Sequence, residues 1–537
     1  MVSAVCWIEG KMINNLKQNK RLLIISCVFG LLYSASFVIG RSIYNTHGLI
    51  SLFSSFKNIL ISILLFVLCF VVSTVIFALI MLWLDKQNYG GKKTRIKNFF
   101  ILMFIIIAVY SSALFALYPG VYSYDMMSVN RQATGVYNYD RFQPPLFTLL
   151  WSLFSKLSAL TGAYASTLYA IFQIVLVACF FSSLLLFIKK RNYKIYCISL
   201  IFVILNPVFA IFSIIPTKDV PFSVFFGWTI LLLYLSLKNA SNKNMILLSC
   251  STIICSLFRN NMIYAVIVFA ILSSFYLYKN NKKVLAAMVI SILSVLIING
   301  PIMDLCGVEK GNSREKLSIP IQQISLIVNR NKDKLDEETK SEISKFFYDF
   351  DSLAELYNPR FADDVKELFY TEYYDENKME FWNMYLQLLV KYPNECIVSF
   401  LDLNIPLWYQ NSSSIDEYSN RDYIEINIFE NVFNRDSKLP ALKQYYENIA
   451  NYSYFAKIPN IINIFSISTP FWLMLFCLMK TIYKKESKNI IVVLLMLLLW
   501  STYLLGPVSN CRYMLPFMMM YPLLIMFLFG ERNQKTY

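Results

Sequence analysis

The chain has 537 residues, 57% of them hydrophobic and only 15% charged, with a formal net charge of +15. A water-soluble chain of this length carries more charge, so a string of soluble domains is excluded. The excess Lys and Arg gather beside apolar runs, which argues against a nucleic-acid surface as their purpose.

In chain order the apolar runs predict about twelve transmembrane helices. They lie near 22–40, 59–84, 98–118, 163–188, 195–215, 220–237, 245–258, 262–278, 284–303, 459–483, 489–506 and 513–530. A helix needs roughly 20 residues to cross a bilayer. Lys11, Lys17, Lys20 and Arg21 precede the first run. Lys92, Lys93, Arg95 and Lys97 follow the second, and Lys189, Lys190, Arg191 and Lys194 the fourth. Lys238 and Lys243 follow the sixth, Lys279, Lys282 and Lys283 the eighth, and Lys484, Lys485 and Lys488 the tenth. Basic loops on one side place both termini in the cytoplasm. The first run lacks a small-residue cleavage site and reads as a retained span. The expected fold is an all-α polytopic membrane protein.

The acids are distributed differently. Of 34 Asp and Glu, 27 lie between Asp304 and Glu447, against 16 Lys and Arg in the same stretch. This net acidic segment, 304–456, is expected to be a mostly helical extracytoplasmic domain inserted before the last three spans. Within it, Ile343, Phe346, Phe347, Phe350 and Leu353 recur at helical spacing, as do Phe381, Tyr385, Leu388 and Leu389. The expected organisation is therefore a membrane core over 1–303, the outer domain over 304–456 and closing spans over 457–537. The 11 Cys are scattered without a CxxC pair and read as small apolar fillers, Cys306 and Cys396 being one pair that topology places outside. The single histidine, His47, argues against a His-based metal site.

Seven acids remain outside the acidic segment, and three of them, Asp125, Asp140 and Asp219, fall on predicted outer loops. A charge near hydrocarbon is costly, so such residues are functional candidates. The first large outer loop, 119–162, opens with "YPGVYSYD" and carries Asp125, Arg131, Gln132, Asp140 and Arg141. It closes on an apolar stretch with Leu146, Leu149, Leu150, Leu153 and Leu157, which suits a helix lying in the membrane interface. Further outer loops hold Lys218 and Asp219 in "PTKDVP", Arg259, Asn260 and Asn261 in "FRNN", and Asn510, Arg512 and Tyr513 in "SNCRYMLP". Cations converging there suit a phosphate headgroup, and a carboxylate beside them suits proton transfer from a hydroxyl. The plain alternative is a local Lys218–Asp219 pair with arginines reaching to lipid headgroups. Asp140, flanked by Tyr139 and Arg141, reads as part of a polar turn.

The order "YPG…D…Q", "KD", "RNN", "PIQQI" and "RYMLP" resembles bacterial membrane proteins grouped with the GT-C superfamily of polytopic glycosyltransferases. In this chain those are Asp125 with Gln132, Lys218 and Asp219, Arg259 to Asn261, Pro320 to Ile324, and Arg512 to Pro516. The resemblance implies transfer, with inversion, of a sugar from a polyprenyl-phosphate donor to a cell-envelope acceptor, at the outer face of a bacterial plasma membrane. It implies Asp125 as the catalytic base. Lys218, Asp219, Arg259, Asn260, Asn261, Arg512, Gln132 and Tyr513 are the implied substrate-binding residues. The resemblance fixes no cofactor, and a divalent cation, held by Asp125 with Asp219, is left open. Gln143-Pro144 stands where relatives carry His-Pro, and the first two spans form a hairpin additional to the simplest layout of the superfamily. Trp408 and Tyr409 are candidates for stacking on sugar, or for packing. Gln322 and Gln323 are candidates for substrate contact, or for a buried polar contact. Rival readings are a flippase or transporter of lipid-linked glycan, a surface polysaccharide polymerase or ligase, and a membrane scaffold.

Overall fold

The computed structural model describes residues 20–87, 90–426, 437 and 439–530. The chain termini, with Lys11, Lys17, Glu9 and Glu531, lie outside these residues. The described chain is helical, with only isolated bridges between extended residues.

It begins with a hairpin, α1 (Lys20–Thr46) and α2 (Phe56–Asp85), capped at Ser55, whose side chain accepts the Asn58 amide. Next come α3 (Ile96–Ala116), the short α4 (Met126–Ala133) and the amphipathic α5 (Pro145–Thr161). They lead into α6 (Ala165–Lys189). The following apolar run is broken into α7 (Tyr193–Leu205) and α8 (Pro207–Phe212). Asn206 Oδ1 accepts the Val208 amide at 3.0 Å, and Pro207 has no amide to continue the helix, so a new helix starts there. Then follow α9 (Asp219–Lys238), α10 (Asn242–Phe258) and α11 (Asn261–Asn280). Next is α12 (Lys282–Ile297), continued through a π turn to Leu305.

Beyond α12 a lobe builds its own core from Leu317, Ile321, Phe346, Leu353, Phe369, Phe381, Leu388 and their neighbours. Its main helices are α13 (Ser318–Asn331), α14 (Lys378–Lys391) and α15 (Pro393–Leu403). The separate core ends near Cys396. Leu407, Tyr423, Ile424, Tyr446, Tyr452 and Phe455 instead join the large core of the apolar helices. The segment 304–456 is thus two bodies, a lobe and a mantle, because its later residues present their apolar side chains to the helix bundle. The mantle includes α16 (Pro440–Ala450). The chain closes with α17 (Thr469–Tyr483), α18 (Ser487–Tyr503), α19 (Cys511–Met518) and α20 (Tyr521–Phe529).

Seven of these helices (α1, α2, α3, α6, α9, α11 and α12) are long and apolar enough to cross a membrane. The α19–α20 pair, bent by 44° ahead of Pro522, makes an eighth. The other four runs expected as spans form shorter apolar helices, α7, α10, α17 and α18. In the run 459–483 the helix begins only at Thr469. Buried Asn463 donates to the Tyr452 hydroxyl at 2.9 Å and to the Phe455 carbonyl at 3.0 Å, which pins the preceding residues as turns. On α2, Leu60, Ile63, Leu64, Val67, Leu68 and Val71 are exposed, a belt that only lipid or another apolar surface covers well. This is a helical membrane protein.

The hairpin docks through Phe29 and Phe77 onto Trp472 and Phe476 of α17. Basic residues collect at one end of the bundle. There Lys92 lies 3.5 Å over the Tyr193 ring, Lys484 pairs with Asp85 at 2.5 Å, and Arg21 donates to the Ile482 carbonyl at 2.5 Å.

Candidate functional site

The opposite helix ends carry a different set of charges. After α3 the chain turns at Pro119-Gly120. Gly120 has φ +129°, and a Cβ there would stand 2.9 Å from Ser166 Cβ. The Pro119 carbonyl accepts the Ser166 and Thr167 hydroxyls at 2.9 and 2.6 Å. The "YPG" signature is therefore a hinge against the start of α6. It aims the next residues across the bundle, where Ser123 donates to the Pro216 carbonyl at 3.0 Å. Asp125 stands at the N-cap of α4, yet its side chain caps no amide.

Its carboxylate is turned to cations instead. Asp125 Oδ2 lies 3.0 Å from Arg512 and 3.3 Å from Lys218 Nζ. Lys218 also donates to Gln143 Oε1 at 2.9 Å. One step away, fully buried Asp219 pairs with Arg259, accepts the Thr217 hydroxyl at 3.2 Å, and lies 3.9 Å from Arg512 Nε. The Arg259 guanidinium rests 4.4 Å from the Tyr513 ring and 4.9 Å from the Tyr503 ring, and those two rings are stacked. Burial alone would raise the Asp125 carboxyl, but Lys218 and Arg512 outweigh it and hold it well below the usual carboxylate range. Burial, helped by Arg512 and Arg259, moves the Lys218 ammonium below the ordinary lysine value, against the pull of Asp125. Three cations thus face Asp125 and Asp219, and Glu425 beyond Arg512 is matched by Arg421 at 3.5 Å, which leaves one positive charge in excess in a poorly solvated place.

The structure brings Asp125, Lys218, Asp219, Arg259, Arg512 and Tyr513 together from four segments. The local Lys218–Asp219 pair is replaced by Lys218–Asp125 and Arg259–Asp219, because Lys218 is the N-cap of α9 while Asp219, the first residue of that helix, is buried in the bundle. The other expected substrate contacts serve the scaffold. Gln132 donates to Asp140 Oδ2 at 3.0 Å. Asp140 Oδ1 accepts the Phe142 and Gln143 amides at 2.9 and 3.1 Å, making the polar turn that delivers Gln143 to Lys218. Asn260 reaches the Arg141 carbonyl at 3.4 Å, and Asn261 the Thr502 hydroxyl at 3.4 Å. Gln322 and Gln323 donate to the Asn358 and Cys396 carbonyls at 2.6 and 2.9 Å, as buried polar contacts within the lobe. Tyr409 is buried against Gly40 and Phe37, and the Trp408 carbonyl accepts the Trp472 indole at 2.8 Å, so both are packing residues. Cys306 and Cys396 are unpaired.

A divalent cation does not suit this donor set. Asp125 and Asp219 are each already matched by cationic side chains, and a dication would meet Lys218, Arg259 and Arg512. No group of three or more His, Cys, Asp or Glu with metal-binding geometry occurs among the described residues. The arrangement favours an anion. Beside it, Ser123, Thr217, Asn510, Arg512 and Glu425 border a small cavity of about 20 Å³, the room of roughly one water or hydroxyl.

A family model covers almost all of these elements, matching residues 28–537. The chain belongs to a family of unknown function, DUF6020. No curated protein matches it, and no solved structure does. Sequence reasoning missed Gln143 and Glu425 as site residues. Gln143 was visible only as a departure from a His-Pro pattern, and Glu425 was one acid among many in an acidic segment.

Proposed function

We infer that this chain is a membrane glycosyltransferase of GT-C type, moving a sugar from a polyprenyl-phosphate donor to a cell-envelope acceptor with inversion. The observation that carries the reading is the buried cluster of Lys218, Arg259 and Arg512 with its unbalanced positive charge beside a cavity. A phosphate entering there gains bidentate and charge-assisted hydrogen bonds from arginine. The same cations stabilise the phosphate as it leaves the sugar, which is electrostatic catalysis in a water-poor site. Asp125 shares one oxygen between Lys218 and Arg512, so in this reading it presents those cations rather than accepting a proton. Gln143 steadies Lys218 from the other side.

The reading includes twelve spans, with the short apolar helices α7, α10, α17 and α18 and the bent α19–α20 pair crossing the membrane beside the seven long ones. The basic end faces the cytoplasm of a bacterial cell, and the cluster and lobe face outward. The exposed Leu149, Leu153 and Leu160 of α5 then meet lipid beside the site, where a polyprenyl chain lies.

The test uses proteoliposomes holding the full chain, supplied with polyprenyl-phosphate sugars labelled in the sugar and with envelope material as acceptor. Wild type is expected to transfer label, and Asp125→Asn to lose about 10²-fold, the order reported when one electrostatic partner is removed. Full activity in Asp125→Asn removes Asp125 from the site. Movement of lipid-linked glycan between leaflets without transfer replaces the enzyme by a transporter.

A further inference from the structure

The cavity beside the cation cluster has a second charged wall. Glu425 comes from the mantle, 300 residues after Asp125 in sequence, and its side chain is only 8% exposed. Its neighbours hold it rigidly. The Tyr423 hydroxyl donates to the Phe465 carbonyl at 2.6 Å, the Ile424 amide to the Ala450 carbonyl at 3.1 Å, and Ile426 is buried. Glu425 Oε1 is buried and accepts no hydrogen bond among the described residues. Arg421 stands 3.5 Å from that oxygen, but its guanidinium lies over the Tyr124 ring, 4.1 Å from the centroid. Across the cavity, Arg512 Nε is likewise buried without a hydrogen bond. Burying a carboxylate oxygen without a donor is costly, so such a group calls for a ligand.

Among the described residues, the other carboxylates of the site are already taken. Asp125 and Asp219 are both committed to cations. Glu425 faces the same cavity more loosely held, with one ion pair, to Arg421 at 3.5 Å, and no hydrogen bond to its Oε1 among the described residues. We propose that the cavity is the acceptor subsite, that it takes a sugar hydroxyl, and that Glu425 receives the proton of that hydroxyl during transfer. This rests on the transferase reading above. The hydroxyl oxygen forms the new bond to the anomeric carbon, while the bond from that carbon to the phosphate oxygen breaks. The electron pair leaves with the polyprenyl phosphate beside Arg512 and Lys218, and the proton goes to Glu425. Ser123, Thr217 and Asn510 line the cavity around that hydroxyl, which leaves the rest of an acceptor sugar outside it.

The experiment compares wild type, Glu425→Gln and Glu425→Asp as full-length proteins in proteoliposomes. Two quantities are read: transfer of labelled sugar from a panel of polyprenyl-phosphate monosaccharides to envelope material, and binding of undecaprenyl phosphate alone. Glu425→Gln is expected to lose transfer by about 10²–10⁴-fold while binding undecaprenyl phosphate like wild type. Glu425→Asp keeps the carboxylate and is expected to recover part of the lost transfer. Transfer at the wild-type rate by Glu425→Gln overturns the proposal. So does a parallel loss of transfer and undecaprenyl phosphate binding in both variants, which makes Glu425 a structural support of the donor site. Wild type that binds undecaprenyl phosphate but transfers no sugar sinks the transferase reading itself, and the proposal with it.

Discussion

Asp219 is fully buried and is the counter-charge of Arg259. Removing one member of a buried pair strands the other, at a cost of about 3–5 kcal/mol. Asp219→Asn is therefore expected to lower the thermal unfolding midpoint of the purified protein clearly, whereas Asp140→Asn, in a more exposed turn, shifts it little. Lys218 gives a pH signature. Its folded pKa is lowered, so as pH rises it loses its proton before an unfolded lysine would. The unfolded chain then binds more protons, and stability gains as pH rises through that window, below the ordinary lysine value. Anion affinity runs the other way, because the deprotonated lysine no longer offers charge. Undecaprenyl phosphate binding is expected to weaken on the alkaline side in wild type, and to lose that dependence in Lys218→Met. Asp125 is shifted in the same direction, but for an acid a lowered pKa means that it stays ionised down to strong acid, so it adds no titration near neutral pH. At this scale the sequence showed which charges were out of place in an apolar chain. It did not show their pairing, since Lys218 and Asp219 are adjacent in sequence yet bind partners far apart.

The elements carry the next level. The amphipathic α5 buries Phe147, Thr148 and Trp151 and exposes Leu149, Leu153 and Leu160. In liposomes a spin label at Leu153 is expected to be quenched by lipid-soluble oxygen, and a label at Asn138, in the polar loop before α5, to respond to a water-soluble reagent instead. Equal water exposure at both sites would remove α5 from the membrane interface. Helical spacing of its leucines made α5 legible in the sequence, and the length of the apolar runs did the same for the seven long spans. The broken elements were not legible as such. Hydropathy is a sum over a window, and it reads through Asn206-Pro207 and through Pro522 as if the helix continued. Backbone chemistry decides at those points, because proline lacks the amide and asparagine offers a substitute bond.

For the whole molecule, the lobe is tied to the first hairpin by a hydrogen bond from His47 to a buried ion-pair network. His47, at the end of α1, lies 2.7 Å from Asp402, which also pairs with Arg360, and Arg360 lies 3.0 Å from Asp416. Asp402 is fully buried. Asp402→Ala is expected to cost about 3–5 kcal/mol and to loosen the lobe, seen as faster proteolysis within 317–396 in detergent. Cleavage unchanged from wild type would mean that the apolar contacts of Ile43, Val398 and Tyr409 hold the lobe without this network. The membrane class, the helical fold, the basic end and the acidic insertion were determined by the sequence itself. They follow from composition and periodicity, which are local sums along the chain. The tertiary structure decided what depends on distance: that Asp125 meets Arg512, that Gln132 serves a turn while Gln143 serves the site, that 304–456 divides into lobe and mantle, and that Glu425 closes the cavity. Ionic and hydrogen-bonding partners act over a few ångströms, and only folding brings residues hundreds of positions apart within that reach.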